Sequence, residues 1–257
     1  MTSPRSLLTA LSNSHDRLMG LITGFSEGDL EGRSYDTDWT VAQVLSHLGS
    51  GAEIFSMILD AALAGEEAPA REVFPTVWDR WNAMSPAEQA DNCRVSDARF
   101  QHTLGSLDDA QLASLHLSMF GMELDASALV RMRLGEHALH TWDVAVASDP
   151  EAEIANDAAA LLVDNLGQVV ARAGKPEGGP LRVHVKTTDP ERSFRLIVGD
   201  NVELTPTTDG DADAEVSLPA AALVRLVYGR LDPDHTPAGV TTKGVELELL
   251  RKVFPGI

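Results

Sequence analysis

A chain of 257 residues, 44% hydrophobic and 23% charged, has the balance of a folded globular protein and the length for one large domain or two modest ones. Its formal net charge of −19 argues against nucleic acid as a partner, because an acidic surface repels phosphate backbones. The single cysteine, Cys93, excludes an internal disulfide framework and any zinc site built from several thiolates.

The charge is unevenly spread. Through residue 170 there are 9 Arg and no Lys against 26 acidic residues, whereas the rest of the chain has 11 basic and 13 acidic residues. This change of composition predicts a domain boundary. No apolar run reaches the roughly 20 residues of a membrane span, and MTSPRSLLTALSNSHDRLMG lacks the apolar block of a signal peptide. The expectation is a cytoplasmic protein with no membrane partner.

In chain order, the first two-thirds reads as helices. Ser3-Pro4 is a helix start, followed by Leu7, Leu8, Leu11, Leu18, Leu21 and Ile22 at helical spacing. DTDWT opens a second helix, with Asp38 or Thr40 as its cap and Val41, Val44, Leu45, Leu48 and Ile54 as its apolar stripe. SPAEQ starts a third over about 85–105, and Asp125 or Ser127 starts a fourth through ALVRMRLGEHALHTWDVAVA. A fifth is predicted from about Asn156 to Ala173, with Gly174 as a left-handed C-terminal cap.

GKPEGGP, residues 174–180, has the composition of a linker, and beyond it the periodicity changes. LRVHVK and SFRLIV alternate apolar and polar residues, and NVELTPTT and AEVSL are also strand-like. PAAALVRLVYGR reads as a helix ending at Gly229, and ELELLRKVF as a last helix. The predicted organisation is therefore a helical bundle over 1–174 and a small α+β domain over 181–257.

GEHALHTWDV, residues 135–144, is the stretch richest in potential chemistry. Glu136 and His140 are four apart, so on a helix they leave the same face and can converge on one ion, with Asp143 nearby. A catalytic zinc usually has three protein ligands and an open position, so a third must come from another element. The candidate is His47, at the margin of the second helix's apolar stripe. His137 lies about 100° around the helix from Glu136 and cannot easily share its site. EHALH is not the HExxH zincin motif, and a Glu and a His four apart occur on many helices by chance. Spacing alone leaves open whether these residues form a metal site, a surface pair or a satisfied core histidine.

Three blocks together, DTDWTVAQVLSHLGSGAEIF, RLGEHALHTWDVAVA and AEVSLPAAALVRLVYGRLDP, resemble the mycothiol-dependent maleylpyruvate isomerase family over nearly the whole chain. The resemblance implies a DinB-like four-helix bundle followed by a small sterol-carrier-like α+β domain. It implies a divalent metal, usually zinc, on His47, Glu136 and His140, with Asp143 near the thiol pocket, where it would either bind substrate or serve as the partner of His140. It also implies a C-terminal arginine facing the metal cleft. Arg225 and Arg230 are the candidates, Arg225 as a substrate-binding residue and Arg230 as the catalytic one, Arg230 being preferred for the cleft because it follows the helix-ending Gly229.

The expected partners are the small thiol mycothiol and a small electrophilic acid, with the chain a monomer or a homodimer. The thiol would add to the cis double bond of a maleylpyruvate-like acid, and rotation and loss of thiol would give the trans isomer. Cys93 would take no part. Two alternatives share the same residues: a mycothiol S-transferase, and a non-enzymatic ligand-binding protein with a structural metal.

Overall fold

The computed structural model describes residues 3–36, 38–119, 121–209 and 211–256. The chain forms two compact units that divide between Ala152 and Glu153. No helix among the described residues is long and apolar enough to cross a membrane.

The first unit is helical. In chain order it has α1 (Pro4–Ile22), α2 (Glu27–Leu30), α3 (Val41–Ala64), α4 (Phe74–Asn82), α5 (Pro86–Ser106), α6 (Asp109–Ser114), a hairpin of β1 (His116–Met119) and β2 (Met122–Asp125), and α7 (Ala126–Ala145). The long helices start where side chains accept their first free amides. Ser3, Thr40, Ser85 and Asp125 are the N-caps of α1, α3, α5 and α7, and Gln43 and Glu88 complete capping boxes on α3 and α5. Three helices, α2, α4 and α6, and the β1–β2 hairpin lie in stretches where no element is predicted from the sequence, since each is too short to display a clear period.

The long helices pack with α1 against α7 and α5, and α3 against α5 and α7. Leu7, Leu11 and Leu18 of α1, Val44, Leu45 and Leu48 of α3, Phe100 and Leu104 of α5, and Leu129 and Leu134 of α7 are fully buried between them. At Gly49 the α3 backbone forms a notch for Trp81 of α4. A Cβ there would stand 2.2 Å from the Trp81 ring and 3.0 Å from the Cys93 Cα. Trp81 is held in place by its Nε1–H, which donates to Glu53 at 2.9 Å.

The second unit begins with α8 (Asn156–Leu162) and α9 (Leu166–Ala173), joined by the 3-10 turn Val163–Asn165. Next come β3 (Leu181–Thr188), β4 (Arg192–Val198), β5 (Val202–Pro206), β6 (Ala214–Pro219), α10 (Ala220–Val227), β7 (Thr241–Lys243) and α11 (Leu247–Val253). The five strands form one sheet in the order β5-β4-β3-β6-β7, with β3 and β6 parallel and the other pairs antiparallel. Strand alternation buries Val183, Val185, Phe194, Leu196, Val198, Leu204, Val216 and Leu218.

Two expectations change here. The segment 156–173 is not one helix of the bundle but two short ones in the second unit, where α9 packs on β5 and α8 on α10. The division thus precedes the 174–180 linker, because Leu166 and Val170 find their apolar partners on the sheet rather than among the long helices. Gly174 is extended, at φ −62 and ψ 137, rather than left-handed. A Cβ there would meet the Val170 carbonyl and the Val202 side chain, each at 2.7 Å, so close approach selects the glycine.

The Gly49 notch yields a stability prediction. Alanine in mid-helix is worth about 1 kcal/mol over glycine. At position 49 the collision with Trp81 and the Cys93 backbone should outweigh that gain. Gly49→Ala is expected to lower stability by a net of about 1–3 kcal/mol, seen as a lower midpoint in thermal denaturation.

Candidate metal centre

Helix α7 is buried on most of its circumference, but Met132, Glu136 and His140, spaced four apart, form a half-buried stripe along it. Helix α3 has a facing stripe in Gln43, which is exposed, and His47 and Gly51, which are half-buried. The two stripes meet. His47 Nε2 lies 3.1 Å from Glu136 Oε2, and His140 Nε2 lies 3.8 Å from the same oxygen. The two imidazole centroids are 4.7 Å apart at 67°, and one ligand atom from each of the three residues falls within 4.8 Å of the others. His47 and Glu136 side chains retain 39% and 41% of their exposure, so the site has an open side for a small molecule.

The loop before α3 completes the wall. Ser34 N–H donates to the Trp39 carbonyl, Val41 N–H to the Gly32 carbonyl, and Arg33 and Thr40 form a bridge, so residues 32–34 lie alongside residues 39–41. Tyr35 anchors this turn to α7: its N–H donates to the Asp143 carbonyl at 2.9 Å, and its ring packs on Trp142 at 4.7 Å. The turn carries Trp39, whose ring stacks on His140 at 6.1 Å and 22° and lies 5.2 Å from His47.

Asp143 is fully buried, and its Oδ2 lies 2.8 Å from His140 Nδ1. With Nδ1–H donated to that carboxylate, the Nε2 lone pair of His140 is directed toward Glu136 and His47. Of the two expectations for Asp143, contact with substrate and partnership with His140, its burial and this hydrogen bond favour the second. Burial pushes the Glu136 carboxyl up. The hydrogen bond with His47, together with the charges of His140, His47 and Arg133, outweighs that effect and holds it at about 2. Glu136 is accordingly an anion throughout the neutral range.

A second group of similar composition lies deeper: His15, Asp97 and His137 also bring ligand atoms within 4.8 Å. Its chemistry differs. Asp97 pairs through Oδ1 with Arg133 and through Oδ2 with His137 Nε2 at 2.8 Å, all three side chains being at most 2% exposed. Burial opposes the Asp97 charge, but Arg133 and His137 hold its carboxyl well below the usual range. Burial also pushes the His137 imidazole down, despite Asp97. A neutral His137 donates Nε2–H to Asp97, while its Nδ1 accepts from Ser14 and Thr141 at 3.0 and 3.3 Å. The carboxylate is already balanced by a guanidinium and no lone pair of His137 is left over, so two of the three members are engaged; His15 Nδ1, 3.6 Å from Asp97 Oδ2, is buried without a hydrogen-bond partner among the described residues. Around Glu136 the anion faces two histidines and an open side.

The other residues singled out in the sequence fall elsewhere. His137 is turned away from Glu136, as its helical position requires. Burial, with Asp97 adding to it, pushes the Cys93 thiol well above its usual value, which leaves it inert as a nucleophile. Arg225 is 1% exposed in the second unit, where it donates to both Glu153 carboxylate oxygens at 3.0 and 3.1 Å and to the His235 carbonyl at 2.7 Å. That guanidinium is a core tie rather than a substrate contact, which corrects its assignment to substrate binding. Arg230 follows Gly229, which adopts φ 72, and is half-buried with Nη1 donating to the Tyr228 carbonyl at 3.1 Å. Trp39, Asp97 and Arg133 have roles not visible in the sequence; a tryptophan inside a helix-capping segment was the one available signal.

Comparison with known proteins agrees with this architecture. A family model described as the mycothiol maleylpyruvate isomerase N-terminal domain matches residues 11–145, and one described as the MDMPI C-terminal domain matches residues 153–251. No curated protein matches the chain. Among solved structures, the mycothiol-dependent maleylpyruvate isomerase superposes with a TM-score of 0.70 at 18% identity, covering 95% of each chain. A histidine-to-alanine mutant of a mycothiol-dependent maleylpyruvate isomerase gives the same values. At that identity the likeness concerns the fold.

Removing the orienting carboxylate should be felt at the ligand. Asp143→Ala is expected to weaken zinc binding about 10–100-fold, measured by competition with a chromophoric chelator, while the helical circular dichroism is retained.

Proposed function

The chain belongs to the mycothiol maleylpyruvate isomerase family, and from that premise we propose that it is a metal-assisted, thiol-dependent cis–trans isomerase of a maleylpyruvate-like acid. The observation that carries the proposal is the convergence of His47, Glu136 and His140 from two helices on one half-open point. One carboxylate and two imidazoles are a donor set suited to zinc, and three protein ligands leave a position for a small molecule. When bound, the ion would supply the positive charge that keeps a thiol deprotonated at neutral pH.

The chain's own residues do the rest. Glu136 carries the negative charge of the donor set, and Asp143 holds His140 with its Nε2 lone pair toward the site. Trp39 covers the two imidazoles and limits access of water on that side. The nucleophilic sulfur belongs to the cosubstrate, in keeping with the buried, unreactive Cys93. Reversible addition of that sulfur to the cis double bond leaves a single bond free to rotate, and elimination returns the thiol with the trans acid. Arg230 is proposed to recognise a substrate carboxylate, for which a guanidinium fork is suited.

The test is metal analysis followed by a maleylpyruvate assay with and without mycothiol. The expected result is close to one zinc-like ion per chain, lost in His47→Ala and Glu136→Gln, and isomerisation only when the thiol is present, with the thiol recovered. A wild-type protein that cannot be loaded with zinc would sink the proposal. A stable thioether in place of the trans acid would make the protein an S-transferase. Arg230→Ala is expected to raise KM for the acid about 10-fold or more, on the scale of a lost charge-assisted hydrogen bond, with metal content unchanged. Cys93→Ala should keep its activity.

A further inference from the structure

The metal ligands sit on two helices, and α3 and α7 pack less extensively on each other than α3 does on α5 or α7 on α1. Ligand atoms around zinc must lie within roughly 2.0–2.2 Å of the ion. A sliding of α3 along α7 by a fraction of a turn would separate His47 from Glu136 and His140. Something other than apolar packing has to fix that register.

Arg133 is placed to do so. It precedes Glu136 by three residues and His140 by seven, which puts it on the same side of α7, deeper in the unit. Its guanidinium lies along α3 over two turns. Nη2 donates to the carbonyl of Leu48, the residue after His47, at 2.7 Å. Nη1 would be 3.1 Å from a Cβ at Gly51, so the bare backbone there is what admits it. The guanidinium carbon is 5.9 Å from the Phe55 ring centroid.

The same Nη2 bonds Asp97 of α5, and Asp97 is held in turn by His137, the neighbour of Glu136. A pair of charges this deeply buried is stable only in good geometry, since neither partner can be left unmatched. Resting on the metal reading above, we propose that the Asp97–Arg133 pair is a positioning device for the metal centre. It fixes the helix that carries His47 against the helix that carries Glu136 and His140.

The experiment separates positioning from stability. In the double variant Arg133→Met/Asp97→Asn both buried charges are removed together and His137 keeps a polar neighbour, so the fold is expected to survive. Zinc affinity should fall about 10-fold or more, the scale seen for residues that support metal ligands, and the visible absorption of the cobalt(II)-loaded protein should change. Arg133→Lys, whose single nitrogen can replace the two contacts made by Nη2, should recover most of the affinity and the spectrum. As a control, the core truncation Leu7→Ala should lower the melting temperature and leave zinc affinity unchanged.

A folded double variant with wild-type affinity and spectrum overturns the inference while the metal reading stands. A wild-type protein that binds no metal overturns both. Should the double variant be recovered unfolded, Asp97→Asn alone is read in the same way, and unchanged zinc affinity again overturns the inference.

Discussion

Burying an ionised arginine in a helical core is tolerable only when its charge is matched, and the first unit is organised around that requirement at Arg133, whose Nη2 makes both polar contacts while Nε is unpartnered among the described residues. Three helices meet its terms. The carboxylate comes from Asp97 of α5, the accepting carbonyl from Leu48 of α3, and the imidazole that secures Asp97 from the same helix as Arg133 itself. Removing one partner of such a pair typically costs about 3–5 kcal/mol because the other is stranded. Apolar packing permits many small shifts of one helix along another; this network permits few.

Among its described residues the unit contains two groups of two histidines and a carboxylate, and they show how surroundings rather than composition decide chemistry. In the inner group a guanidinium neutralises Asp97, and His137 gives its Nε2 proton to that carboxylate. In the outer group Asp143 takes the Nδ1 side of His140, so that its Nε2 faces Glu136. Glu136 remains an anion with histidines beside it and solvent in front. Equal ligand counts thus lead to a carboxylate already neutralised by a guanidinium in one place and a half-open site in the other.

Much of this was legible from residues alone. The Ser-Pro and Thr starts, the leucine periods and the strand alternation placed the long helices and most strands. A spacing of four correctly put Glu136 and His140 on one face and turned His137 away. Other features were hidden, for physical reasons. Whether a mid-helix arginine such as Arg133 is solvated or buried depends on a carboxylate 36 residues away, which no local period encodes. Arg225 looked like an available cation because its partner, Glu153, lies 72 residues earlier. The segment 156–173 has helical periodicity in either unit, and only the sheet surface it covers determines where it belongs. Gly174 illustrates the ambiguity of glycine, which can mark a left-handed turn or a contact too close for a side chain.

The separation of His47 from Glu136 by 89 residues has a consequence for the life of the protein. The proposed ion, held by both, would tie together segments far apart in the chain, and anything bound solely by the folded state deepens that state by mass action. Were that proposed ion scarce, more of the chains would open α3 away from α7 and become substrates for proteolysis. Supply of the ion would then set how much of the protein persists, as well as how much of it is active.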